Sequence, residues 1–154
     1  MSEMLGNYHF LNRNYSLALS ELENSFLKIP TDMCTGKKLV VCYTQTKNLK
    51  KALDLFLALL KENADCIINT KPEEEGCPCP DLVADLENGK IERSNQYELF
   101  VELGILWLYC KIESSISYFD KANQIDSSDK RLIQIMQILN SKIKDQQKEK
   151  KYVK

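Results

Sequence analysis

The sequence predicts an all-α protein, and three observations support that prediction. Apolar residues recur at steps of three and four along most of the 154-residue chain, which is the period of one face of an α-helix. No segment alternates apolar and polar residues for more than a few positions, so no strand is predicted. The chain has five glycines and four prolines, a composition that indicates few loops.

The apolar pattern defines the helices in order along the chain. A first amphipathic helix is predicted over residues 15–29, and Pro30 ends it. A second is predicted over 49–60 and a third over 116–125. The polar residues that follow the third offer side-chain oxygens that can cap a final helix, which is predicted over 129–148.

A small residue followed by a large apolar one recurs at a fixed spacing. Ala18 and Ala52 lie 34 residues apart, and Leu22 and Phe56 follow them at the same distance. A small side chain lets two helices approach closely, and the large side chain fills the space beside it. Because a single helical hairpin cannot bury its own apolar face, such units are expected to stack.

This arrangement resembles the tetratricopeptide repeat, a 34-residue helix-turn-helix unit with Leu-Gly, Tyr, Ala-x3-Phe and Pro at set positions. A Leu-Gly pair at positions 5–6 precedes Ala18 in the first unit, and Pro30 follows it. A third unit contains a Leu-Gly pair at positions 103–104 and Ser115. In that unit serine replaces alanine, and the spacing is one residue shorter.

The resemblance implies a tetratricopeptide-like solenoid of stacked helical hairpins in one domain, residues 1–154. An acidic segment that is rich in Cys and Pro interrupts the repeats, and a closing helix covers the last one. The predicted parts are repeat one (1–30), repeat two (33–64), the acidic insert (65–93), repeat three (94–126) and the capping helix (129–148).

Charge is distributed unevenly along the chain, although its formal net charge is −1. Residues 62–102 carry eleven Asp or Glu and three Lys or Arg, while the flanking parts are mildly basic. Binding of nucleic acid needs a continuous basic face, so no nucleic-acid partner is expected. No apolar run approaches the ~20 residues that span a bilayer. The start has neither a basic nor an apolar leader, so a cytoplasmic location without membrane contact is expected.

The acidic insert is predicted to begin with a loop and to end with a short helix. Three consecutive glutamates and two prolines argue against a helix in the first part of residues 71–80. Pro80 suits the start of a helix that ends at Asn88-Gly89. Loops of this length in a compact domain are usually functional or disordered.

No catalytic site is predicted, and no cofactor is expected. His9 is the only histidine, and by the resemblance it stands at a position that normally holds a packed tyrosine. The five glycines are isolated from one another, so no phosphate-binding loop is present. The glutamate run 73–75 has nothing beside it that would raise a pKa for acid–base catalysis. The chain is therefore expected not to be an enzyme.

Cys66, Cys77 and Cys79 come closest to a reactive or metal-binding group. Zinc usually takes four ligands, and no second cysteine pair or histidine lies near these three, so no metal is expected. A disulfide across the single proline of Cys-Pro-Cys would close a small, strained ring. The sequence favours a proline-stiffened loop with inert thiols. A thiol- or metal-dependent regulator that uses Cys66, Cys77 and Cys79 is the alternative.

The tetratricopeptide resemblance implies a concave groove that is lined by the first helix of each pair. Of the five positions that bind a C-terminal carboxylate in one chaperone-binding subfamily, only Asn7 matches, so that mode is not expected. An apolar centre with an acidic edge, formed by Glu98 and Glu102, suits a helix or an extended segment with basic flanks. The groove positions are Asn7, Phe10, Leu11, Lys37, Val41, Thr44, Gln45, Glu98, Val101, Ile105 and Leu108.

We therefore expect a non-catalytic adaptor or scaffold that binds a peptide or amphipathic helix of another protein. The alternative within the binding class is a dedicated client chaperone, because three-repeat chaperones of secretion systems have a similar length and a closing helix. The first repeat has no cap at its N-terminal face, which makes that face a candidate homodimer interface.

Overall fold

The computed structural model describes residues 2–93 and 95–152, and within these residues the chain is all-α, as predicted. The predicted starts of repeats one and three, at residues 1 and 94, lie outside the described residues. The helices are α1 (Ser2–Leu11), α2 (Tyr15–Lys28), α3 (Met33–Gln45), α4 (Leu49–Ile68), α5 (Pro72–Glu75), α6 (Cys79–Glu87), α7 (Gln96–Trp107), α8 (Ile112–Ile125) and α9 (Lys130–Tyr152).

The helices pack in consecutive pairs. Helix α1 packs on α2, α3 on α4, and α7 on α8, and α2 also packs against α3. Helix α9 lies against α4 and α8. Its residues Leu132, Ile135 and Leu139 are fully buried there. These contacts are those that a stack of hairpins with a closing helix requires, while the superhelical geometry of a tetratricopeptide array stays a prediction.

In each of the three pairs, a glycine of the first helix lies directly against a large side chain of the second, as Gly36 does against Leu59. A Cβ atom on Gly6 would lie 2.7 Å from the Leu22 side chain, and one on Gly104 would lie 2.9 Å from the Phe119 ring. Ser115 is fully buried at this contact. Its Oγ donates a hydrogen bond of 2.5 Å to the carbonyl oxygen of Gly104. The serine that replaces the repeat's alanine is therefore satisfied by the facing helix.

Ala52→Leu should destabilise the fold by about 1–3 kcal/mol, because three extra carbon atoms must enter a site that is already closed. Ala52 is fully buried on α4. Ala58 lies on the same helix and is exposed. The matched change Ala58→Leu should therefore shift stability by no more than about 0.5 kcal/mol. Urea unfolding measures both, and equal stabilities for the two variants would contradict the packing described here.

The start of the insert differs from the prediction. Residues 72–75, which were expected to be a loop, form the single helical turn α5. Pro72 is tolerated at the first position because no hydrogen bond is needed there. Gly76 ends the turn with a φ of +66°, which glycine adopts readily. The short helix predicted to follow is α6, which ends at Glu87, one residue before Asn88.

Helix α1 has an exposed apolar side. Met4, Tyr8 and Leu11 lie along α1 with exposed fractions of 62% or more. In the described part of the chain, no helix is both long enough and apolar enough to cross a bilayer.

Candidate partner-binding groove and its insert

The insert lies against the helices that were predicted to line a partner-binding groove. Lys37 Nζ on α3 donates a hydrogen bond of 2.6 Å to Glu75 Oε1 on α5. Arg13, in the turn after α1, pairs with Asp81 on α6 at 3.1 Å. Helix α6 also packs on α7. The chain's own insert therefore occupies part of the predicted groove.

The pair of Lys37 and Glu75 is the most enclosed of these contacts. The side chain of Lys37 is 7% exposed, and that of Glu75 is 38% exposed. Burial raises the pKa of Glu75, but hydrogen bonds from Lys37 and from the backbone N–H of Lys71 outweigh that effect and lower the pKa below its usual value. Tyr109 holds the same lysine from the other side, since its hydroxyl donates to the Lys37 carbonyl oxygen at 2.6 Å.

Five of the predicted groove residues belong to the core, and the expectation that they stand open to a partner is wrong for this conformation. They are all 2% exposed or less, because the insert and the neighbouring helices cover them. A charged substitution among them would test folding rather than binding. The five are Phe10, Val41, Val101, Ile105 and Leu108.

Two further groove residues, both on α1, contact the chain itself. Asn7 Oδ1 accepts a hydrogen bond of 2.8 Å from Lys38. Leu11 is 63% exposed, and its Cδ2 atom lies 2.6 Å from where a Cβ on Gly76 would stand. The exposed Leu11 side chain could move aside for a Cβ atom, so it is the positive φ of Gly76 that favours glycine at that position.

An open cleft of about 1100 Å³ remains beside the insert, where α3 turns into α4 and faces α7. Three predicted site residues line it, namely Thr44, Gln45 and Glu98. Its apolar lining includes Leu49, Ile91 and Leu99, which the rest of the chain leaves partly uncovered. Its charged lining includes the exposed residues Lys47, Lys50, Lys51 and Glu92.

Glu102, which was expected at the acidic edge of the groove, is instead part of a buried ion pair. Its side chain is 3% exposed. Arg93 donates to both of its carboxylate oxygens, at 2.9 and 3.0 Å, and Gln45 donates to one of them at 3.0 Å. Burial raises the pKa of Glu102, and the bonds from Arg93 and Gln45 oppose that effect. This carboxylate is not available to a basic partner.

The thiols do not gather into a metal site. The described residues contain no cluster of three or more His, Cys, Asp or Glu side chains that could hold a metal ion. Cys66 is on α4, Cys77 precedes α6 and Cys79 is the first residue of α6, so the metal form of the alternative finds no support in the geometry. Cys110 lies in the turn after α7, because that helix ends at Trp107.

The sequence reasoning missed the residues that hold the insert in place. Arg13, Glu75 and Asp81 were not among the candidate site residues, and Arg93 was not recognised as the partner of Glu102. A signal for the first three was present, because a basic N-terminal part precedes the strongly acidic segment 62–102. Opposite charge alone could have indicated that the two parts pair.

Comparisons with protein-family models, with curated proteins and with solved structures give no match for this chain. The tetratricopeptide resemblance therefore stays a prediction from the quoted residues.

Proposed function

We propose that the chain is a non-catalytic interaction module, an adaptor or scaffold, that binds a segment of a partner protein in the open cleft. The observation that carries this function is the cleft of about 1100 Å³ with partly uncovered apolar side chains in its lining. Leu49 on α4, Ile91 in the segment after α6 and Leu99 on α7 are available as contacts for an apolar anchor. Clefts of this kind typically bind a short segment through a few buried anchors.

The charges around the cleft favour a partner with acidic residues rather than the basic flanks expected from the sequence. Lys47, Lys50 and Lys51 are exposed along the α3–α4 turn and the start of α4. Among the acidic lining residues, Glu102 is neutralised by Arg93, which leaves Glu92 and Glu98 exposed against the three lysines. The lysines should therefore raise the association rate of an acidic segment, with an effect that weakens as salt increases.

The test is selection of peptides from a random display library on the immobilised protein, followed by binding measurements on the selected peptides. We expect enrichment of sequences that combine apolar and acidic residues. Leu99→Ala should weaken their binding by about 2 kcal/mol, or roughly thirtyfold, if Leu99 contacts the anchor. Lys50→Glu with Lys51→Glu should chiefly slow association.

A matched control separates the cleft from overall charge. Lys144 and Lys148 are exposed on α9 and are absent from the cleft lining. Their double change to Glu alters the net charge by the same amount and should leave peptide binding unchanged. The assignment of the cleft would be contradicted if the selected peptides bound the Leu99→Ala variant and the Lys50→Glu, Lys51→Glu variant with the affinity and association rate of the parent. Failure to select any peptide would contradict it as well.

A further inference from the structure

Uncovered apolar surface is concentrated at the N-terminal end of the chain. Of the nine large apolar side chains that are exposed in the described residues, seven lie between residues 4 and 29, in or directly after the first helix pair. At the other end, α9 covers the last pair and buries its own apolar residues there. Within the described residues, the outer side of α1 has no such cover.

Four of these side chains lie along one side of α1, which we call the α1 stripe. The opposite side of the helix packs on α2, where Gly6 faces Leu22. Positions three and four residues apart lie on the same side of a helix, so the four side chains form a continuous surface. The α1 stripe consists of Met4, Leu5, Tyr8 and Leu11, whose exposed fractions are 47% to 76%.

The charges around the α1 stripe make it complementary to itself. Residues 4–12 contain no Asp, Glu, Lys or Arg. Glu3 precedes them and Arg13 follows them, each five residues from Tyr8, and both are exposed. A surface with charges of one sign would repel its own copy. A neutral stripe with opposite charges at its two ends attracts a copy that is turned end to end.

We propose that the α1 stripe is the interface of a homodimer in which the two α1 helices pack antiparallel about a two-fold axis at Tyr8. Residues at equal distances before and after Tyr8 then lie opposite each other. Leu5 of one copy meets Leu11 of the other, and Glu3 meets Arg13. The antiparallel direction also places the start of each helix beside the end of the other, which the helix dipoles favour. The homodimer interface expected at the N-terminal face is thereby narrowed to one side of α1.

Arg13 can contact the second copy without releasing the insert. Its side chain is 48% exposed, and one of its nitrogens lies 3.1 Å from Asp81. A guanidinium carries five N–H donors, so others remain for Glu3 of the second copy. An exposed ion pair of this kind adds little affinity, and its main effect is to select the antiparallel direction.

The size of the α1 stripe predicts a weak dimer. Four large side chains at this exposure present on the order of 400 Å² of apolar surface on each copy. With the polar residues at the edges, the two copies would bury roughly 1,000–1,200 Å² in total, which is the lower end of the range for specific interfaces. We therefore expect monomer and dimer to exchange, with a dissociation constant in the micromolar range.

The dimer interface is separate from the partner-binding cleft. The cleft is lined by residues of α3, α4, α6 and α7 and of the segments between them, whereas the interface is on α1. The test of one surface can therefore fail without affecting the test of the other.

Analytical ultracentrifugation of the full chain, from low micromolar to several hundred micromolar, measures the self-association. The sedimentation coefficient should rise from that of a monomer to that of a dimer and no further, because a two-fold interface is closed. A monomer at every concentration would overturn the proposal, since something other than a second copy would then cover the stripe. Continued growth beyond the dimer would overturn it as well.

Tyr8→Glu places two like charges at the axis and should raise the dissociation constant at least about thirtyfold. Tyr8 is exposed, so the circular dichroism spectrum and the unfolding midpoint should stay those of the parent. Leu27→Glu is the matched control, because Leu27 is 77% exposed on α2 and lies outside the stripe. Its dissociation constant should equal that of the parent. Equal losses of dimer in the two variants, or an unchanged dimer in Tyr8→Glu, would overturn the assignment.

Introduced cysteines test the antiparallel direction. Copper phenanthroline drives disulfide formation in each variant, and the parent protein gives the background from its own cysteines. Tyr8→Cys brings two thiols together at the axis and should yield a covalent dimer. Met4→Cys sets them roughly 12 Å apart along the helices, which is beyond the reach of a disulfide, so it should add none. Equal cross-linking of the two variants would indicate parallel helices and would overturn the proposed geometry.

Discussion

Replacing Phe119 with alanine should lower the free energy of unfolding by about 3–5 kcal/mol. Phe119 is fully buried on α8. Its ring fills the space where Gly104 lets α7 approach. The ring centroid also lies 6.0 Å from that of Phe56 on α4. The truncation would therefore leave a cavity between two helix pairs at once, and neither pair can close it without moving the other.

Urea unfolding followed by circular dichroism measures this loss. Ile125→Ala is the control, because Ile125 lies at the end of the same helix and is 51% exposed. Ile125→Ala should lower the free energy of unfolding by well under half as much as Phe119→Ala, because truncating a partly solvated side chain removes less buried apolar surface. Similar losses in the two variants would mean that α8 does not pack on α4 and α7 as described.

Arg93→Met should destabilise the protein by about 3–5 kcal/mol at neutral pH, because it leaves the Glu102 carboxylate buried without its cation. Methionine keeps much of the length of the side chain but removes both hydrogen bonds to Glu102. Gln45 alone, with one hydrogen bond of 3.0 Å, remains as a donor. A single neutral donor cannot replace a bidentate guanidinium.

The loss should depend on pH with a definite sign. Burial already raises the pKa of Glu102 above its usual value, and the lowering effect of Arg93 disappears in the variant. A carboxyl group whose pKa is raised by folding makes its full contribution to stability at pH values below its pKa in the unfolded chain. That contribution is lost as the pH rises through its pKa in the folded protein. The difference in stability between parent and variant should therefore grow between about pH 4 and pH 7.

A second substitution shows whether the buried charge is the cause. Glu102→Gln in the Arg93→Met background removes the charge and should recover most of the stability at neutral pH, since a neutral amide is cheaper to bury. The ion pair would not be what stabilises this contact if Arg93→Met lowered the free energy of unfolding equally at pH 4 and at pH 7. The same conclusion would follow if Glu102→Gln recovered no stability.

The fold class and the paired helices could be predicted because they depend on local periodicity. Ala18 and Ala52 lie 34 residues apart, and Ser115 takes the same place in the unit that follows the insert. A small residue at these positions has one physical use, which is close approach of two helices. The turn α5 was missed for a related reason. The glutamate run and the prolines were interpreted as signals of a loop, but Pro72 at the first position and Gly76 just past the end are also the signals of a short helix.

The candidate site was harder to predict, because a groove and a core give the same pattern. Phe10 and Val41 lie at apolar positions of amphipathic helices whether a partner or the chain itself covers them. What decides the outcome is long-range pairing. Lys37 and Glu75 are 38 residues apart, and Arg13 and Asp81 are 68 apart. No local pattern encodes which acidic residue meets which basic one, so the docking of the insert could not be predicted from spacing alone.

The insert would be a tethered competitor for any ligand of the surface that it covers. It is joined to the helices it covers at both of its ends, so its effective concentration at that surface is on the order of millimolar and does not fall on dilution. A free segment that binds the covered part of the groove would compete with the insert. The apparent dissociation constant of that segment would equal its intrinsic value divided by the fraction of time in which the insert leaves the groove open. If the groove were open one hundredth of the time, the binding free energy of every such ligand would be weakened by about 2.7 kcal/mol. Weak ligands would thereby be excluded from that surface, while the cleft beside it would carry no such penalty.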